Sequence, residues 1–127
     1  MKEHRMQMSC GVLMDENELL TGKIVVFGQQ HSKSVEQLNL LRGLVPAHWW
    51  EYGPDAPIEA EMASLTQVGP SILVLIGGKN YKTSFDTIIM LKASNKGDLQ
   101  WTVLDQKLSR ARHLHSAIMI PDILANC

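Results

Sequence analysis

The chain has 127 residues, 45% of them hydrophobic and 20% charged, which suits one globular domain with a modest core and excludes disorder. Its net charge of −1 leaves no electrostatic footprint for nucleic acid or an anionic membrane. No apolar run approaches the ~20 residues that span a bilayer, and the start, Met1 to Met8, lacks the apolar stretch of a secretory signal.

Taken in order, almost every segment reads as a short strand. Met6 to Met14 is a mixed apolar strand, followed by the polar loop Asp15-Glu16-Asn17-Glu18. Lys23 to Phe27 is an apolar run rich in β-branched residues and ended by Gly28; its lack of alternation predicts burial on both faces. A polar turn over Gln29 to Lys33 leads to Val35–Leu41, in which Leu38 and Leu40 share a face. After Gly43 and Pro46 comes an aromatic strand, His48-Trp49-Trp50-Glu51-Tyr52, stopped by Gly53-Pro54-Asp55-Ala56-Pro57. The same order then recurs. Strands are predicted over Ala60–Val68, Ile72–Ile76, Phe85–Leu91 and Gln100–Leu104, with turns at Gly69-Pro70, Gly77-Gly78 and Asn95-Lys96-Gly97-Asp98. Leu114 to Ile120 is a ninth predicted strand. Helix over Glu59–Leu65 and Val103–His115 is the rival reading. Strands explain both halves at once.

The recurrence is a repeat of nearly fifty residues. Lys23–Gly28 matches Ile72–Gly77 at an offset of 49, Ser34–Leu41 matches Ser84–Leu91 at 50, and Trp50 matches Trp101 at 51. Repeats of this length mean stacked modules, and a module made of strands points to propeller blades.

Ile76-Gly77-Gly78, Trp101 and the run from Leu108 to Ala117 (Leu-Ser-Arg-Ala-Arg-His-Leu-His-Ser-Ala) together resemble the Kelch repeat. Its blade has a glycine doublet closing strand two and a tryptophan near strand four, with a Leu-x-x-Ala-Arg-x-x-His-Ser-Ala-like segment opening the next blade. The first unit fits in part: Gly28-Gln29 stands for the doublet, Trp50 is in place, and Gly53-Pro54-Asp55-Ala56-Pro57 resembles the bridge between blades. The resemblance covers roughly Met6 to Asp122. It implies an all-β propeller portion, with one blade over 5–53, a second over 59–105 and a strand of the next over 112–120. It also implies that Trp50 and Trp101 are packing residues between blades, largely buried at equivalent places. With Gln29 in place of a glycine, the first unit's turn is expected to differ.

Candidate chemistry is sparse. His113 and His115, two apart on a predicted strand, could pair as metal ligands, but no third ligand lies close enough in sequence and the structural reading outweighs the metal one. Glu36 and Asp86 fall at matching positions and read as turn or strand-edge residues rather than a glycosidic pair. No P-loop, G-x-S-x-G or dinucleotide fingerprint occurs. Ser109-Arg110-Ala111-Arg112 is a solvated basic edge before it is a nucleic-acid site. Trp49, on the opposite face to Trp50, is the tryptophan most open to stacking on a ligand. Cys10 and Cys127 form no finger or CxxC spacing; they are a buried thiol and a terminal one, or a disulfide if the ends meet.

Recognition therefore falls to the loops. The strand two to strand three loops offer Gln30, His31, Asn80, Tyr81 and Lys82 as contact candidates. The expectation from the resemblance is a non-catalytic protein-interaction module without cofactor or metal, whose open blade faces favour self-association. A sugar-binding or galactose-oxidase-like propeller, or a truncated product without independent function, is the alternative.

Overall fold

The computed structural model describes residues 2, 5, 7–14, 21–29, 31–41, 50–94 and 98–120. Strands β1 (Ser9–Met14), β2 (Thr21–Gln29), β3 (Ser32–Leu41) and β4 (Glu51–Tyr52) form one sheet; β5 (Ser64–Gly69), β6 (Ile72–Ile76), β7 (Thr87–Ala93) and β8 (Leu99–Lys107) form the other. Each is an antiparallel meander in sequence order, neither closes on itself, and no helix forms among the described residues. The all-β reading with two four-stranded units therefore stands. His48, Trp49 and Cys127 lie outside the described residues.

Two predicted strands are corrected. The first, Ala60–Val68, begins only at Ser64, because Met62 adopts φ 54°, a left-handed conformation that a strand cannot contain. The other, Leu114–Ile120, joins no ladder; Leu114 has φ 53°, and the segment is held instead by Leu114 N donating to Met62 O and Ala117 N donating to Ser64 Oγ. Gln7, with φ 58°, belongs to the same series, since Met62 N donates to Gln7 O. Three residues that cost conformational energy are thus strung on one hydrogen-bonded line, Gln7 before the first sheet, Met62 before the second and Leu114 after it.

Strand pairing also corrects the repeat. In the first sheet Val26 pairs with Glu36 and Ile24 with Leu38; in the second Leu75 pairs with Ile89 and Leu73 with Leu91. With β2 and β6 offset by 49, β3 and β7 are offset by 53, not 50, because the β6–β7 connection is longer. Glu36 is therefore the counterpart of Ile89. Its match to Asp86 was a coincidence of sequence.

The sheets pack by non-equivalent faces. Leu13, Val25, Phe27 and Val35 of the first share one buried cluster with Leu73, Leu75, Ile89 and Leu91 of the second. Val25 corresponds in the repeat to Val74, whose side chain points away from that cluster and is only half-buried. The front of one sheet thus meets the back of the next, as in a stack and not as in a two-fold pair. Close approach depends on Gly11: a Cβ there would lie 2.8 and 2.9 Å from the two Leu73 methyls.

On the back of the first sheet, where no further sheet lies among the described residues, an ion pair is buried. Arg5 Nε donates to Glu36 Oε1 at 2.9 Å with both side chains fully covered, and Lys2 N donates to Glu36 Oε2 at 2.6 Å. Arg5 also donates to Ser34 O and Ser34 Oγ, so its fork is spread along β3. Glu36 is no strand-edge residue but the buried centre of this network.

Candidate functional site

The β2–β3 connection is a tight hairpin: Gln29 pairs with Ser32, and His31 takes φ 61° at its tip. The β6–β7 connection spans 77–86 and is built differently. Gly77 and Gly78, at φ 62° and 93°, turn the chain where a Cβ would strike backbone, Arg112 O at 2.5 Å for Gly77 and Glu61 O at 3.0 Å for Gly78. In the first unit only Gly28 (φ 102°) has this role, and a bulge between Phe27 and Gln29 replaces the second glycine. The turn expected to differ does differ.

Beyond the glycines, Asn80 Oδ1 accepts from Lys82 N at 2.9 Å and Thr83 N at 2.8 Å, an Asx turn that fixes the loop tip. Lys79 exchanges backbone hydrogen bonds with Glu61, tying this loop to the entry segment of its own unit. The segment is anchored in turn to the first sheet by Ala56 N donating to Lys33 O.

These three pieces border a shallow cleft, lined by Gln29 and His31 from the hairpin, Glu59 and Glu61 from the entry segment, and Lys79, Asn80 and Tyr81 from the second loop. At its lip the His31 and Tyr81 rings stand 5.3 Å apart, tilted by 56°, and Lys82 Nζ sits 5.0 Å from the Tyr81 centroid. Of the loop residues singled out in the sequence, His31, Asn80 and Tyr81 line one site and Lys82 supports its rim. Gln30 lies outside the described residues.

Gln29 and Lys79 open the two loops that the sequence marks for recognition, Gln29 to Lys33 and Lys79 to Thr83, without being contact candidates, whereas Glu59 and Glu61 are missed by the sequence reading. Placing Glu61 inside a strand hid its role as a bridge partner of Lys79. The legible signal was the Glu-x-Glu spacing just after Pro57, in a stretch that must leave the first sheet. Both carboxylates and the Lys79 ammonium lack any ion-pair partner among the described residues.

The other candidates do not assemble. His113 Nδ1 shares a 2.8 Å hydrogen bond with Ser84 Oγ, whereas both nitrogens of His115 are buried without a partner, and no group of three His, Cys, Asp or Glu gathers among the described residues. Asp86 faces Lys107 at 3.8 Å on the surface, remote in character from the buried Glu36. Arg110 and Arg112 are exposed. Cys10 is exposed rather than buried, because it lies on the outer face of β1.

Trp50 and Trp101 are half-buried, not largely buried. Trp101 nonetheless packs between the sheets, its ring 5.9 Å from Phe27 and its Nε1 donating to Pro54 O at 3.0 Å. In sequence, the chain matches no family model and no curated protein.

Proposed function

We propose that the two sheets are successive blades of a Kelch-type propeller array, and that the chain is a non-catalytic protein-interaction module whose partner meets the cleft between the β2–β3 and β6–β7 connections. One observation carries this reading: equivalent loops from adjacent units converge, so that His31 and Tyr81 form a shared aromatic lip. Recognition surfaces on repeat scaffolds arise this way, from loops of neighbouring units held at a fixed distance by the sheets beneath. Front-to-back packing and the chain of left-handed entry residues support the stacked-blade part of the proposal.

The cleft is shallow and formed by loop side chains rather than by an enclosed apolar cavity, which suits a side chain of a polypeptide better than a buried metabolite. Selection of a displayed peptide library against the purified chain tests the reading. Enriched peptides should bind wild type and lose affinity for the His31→Ala/Tyr81→Ala variant while retaining it for Asp98→Ala, a substitution on the β7–β8 side. Enrichment indifferent to the lip would overturn the assignment, and binding on a glycan array or oxidation of galactose would favour the sugar-directed alternative. The outward side of the second sheet carries half-buried Ile72, Val74, Ile76, Ile88 and Met90. Ile118, next to the residue bonded to Ser64 of β5, is 80% exposed. Self-association through these residues is therefore also proposed, and a monomer in sedimentation at micromolar concentration would refute it.

A further inference from the structure

Glu61 is the least expected residue in the cleft. The residue is 8% exposed, yet its side chain makes no hydrogen bond or ion pair among the described residues. The carboxylate at its end still meets water, but a residue this enclosed offers it to a ligand with little competition from solvent. Beside it, Gln29 Oε1 is a wholly buried acceptor with no donor. Glu59 adds a second carboxylate to the lining, against the one ammonium of Lys79, which lies beyond ion-pair distance of both.

The equivalent place one unit later shows what a filled position looks like. There the entry residue is His113, one before the left-handed Leu114 as Glu61 is one before Met62, and its ring is bonded to Ser84 of the β6–β7 loop. The intramolecular partner that His113 has, Glu61 lacks.

We infer that the cleft binds the cationic head of an arginine or lysine side chain presented by the partner polypeptide, with Glu61 as counter-ion. The inference rests on the protein-interaction reading and deepens it. The available acceptors, two carboxylates and one amide oxygen, match a group that only donates. A guanidinium offers donors in a planar fork, which can engage a carboxylate on one edge and Gln29 Oε1 on another. The His31–Tyr81 pair flanks the entrance, where an aromatic face attracts a cation. An anionic or purely apolar ligand would leave Glu61 and Gln29 as they are, unpaired.

The test uses single-residue probes on the whole chain, read by nuclear magnetic resonance. N-acetylarginine methylamide and N-acetyllysine methylamide should each produce saturable shifts at the Glu61 amide and the Gln29 side-chain amide. The citrulline analogue, neutral but of similar shape, should produce none. Glu61→Gln should weaken arginine-probe binding on the order of ten- to a hundred-fold, the equilibrium weight of a hydrogen bond to a charged group. Asp86→Asn, on an exposed residue outside the cleft, should leave it unchanged. Equal binding of the citrulline probe, no saturable shift from either cationic probe, or an unaltered Glu61→Gln variant would overturn the inference. If the probes fail while selected peptides still require His31 and Tyr81, the interaction reading survives and the cation site does not. If the probes bind and no peptide depends on the lip, the reverse holds.

Discussion

The backs of the two sheets occupy the same place in their units and are made in opposite ways. In the second sheet, Leu73, Leu75, Ile89 and Leu91 form an apolar surface buried against the first sheet. In the first, the corresponding positions are Ile24, Val26, Glu36 and Leu38, and the cover is a polar strap in which Arg5 neutralises Glu36 and Lys2 reaches over Tyr52. The same meander thus tolerates either a hydrophobic neighbour or an ionic one at its back.

The largest expected effect comes from breaking the ionic cover. Glu36→Ala strands the buried Arg5 guanidinium and should cost about 3–5 kcal/mol in urea unfolding. Writing the second sheet's solution into the first, with Arg5→Leu and Glu36→Ile together, should recover that loss or exceed it by ~1–4 kcal/mol. A single variant of wild-type stability would show that the network is not a structural cover. Next comes the apolar interface itself. Gly11→Ala pushes a methyl toward the Leu73 side chain and should lower the unfolding midpoint by an equivalent of about 1–3 kcal/mol, with no effect if the sheets can separate freely.

Smaller differences sharpen the comparison. Trp101→Phe removes the hydrogen bond to Pro54 across the interface and should cost about 0.5–1.5 kcal/mol in thermal melts. The counterpart Trp50→Phe, with no described sheet to pack on, should stay within ~0.5 kcal/mol; equal losses at both would contradict the asymmetry. Smallest of all, His115→Leu replaces two buried, unpartnered nitrogens with hydrocarbon and is expected to be neutral or stabilising by up to about 1 kcal/mol. A clear loss of stability would mean that the imidazole is hydrogen-bonded in solution.

Strand existence was legible because alternation and Gly-Pro breaks act locally. Ile72–Ile76 was read to the residue, and the matching tryptophans are confirmed by register, since Leu91 pairs with Trp101 and the same spacing sets Trp50 opposite Leu38. The alignment of β3 with β7 failed because loop length does not announce itself in a hydrophobic pattern. Ser34 and Ser84 look alike, but three residues of loop separate their roles. Local patterning was also blind to the left-handed residues: Gln7, Met62 and Leu114 share no residue type, and only tertiary hydrogen bonding makes their conformation worthwhile. The cleft was half legible. Its aromatic lip followed from loop position, whereas Glu61 and Gln29 became visible only once the entry segment was placed against both loops.

The line of left-handed residues has a kinetic consequence. Within each meander every strand pairs with its sequence neighbour, so either sheet can form from short-range contacts alone. The bonds from Met62 to Gln7 and from Leu114 to Met62 reach across a whole unit and can form only after the intervening sheet exists. The amides of Met62 and Leu114 are therefore natural clocks for hydrogen exchange. They report the closure of these long-range contacts separately from the folding of the sheets themselves.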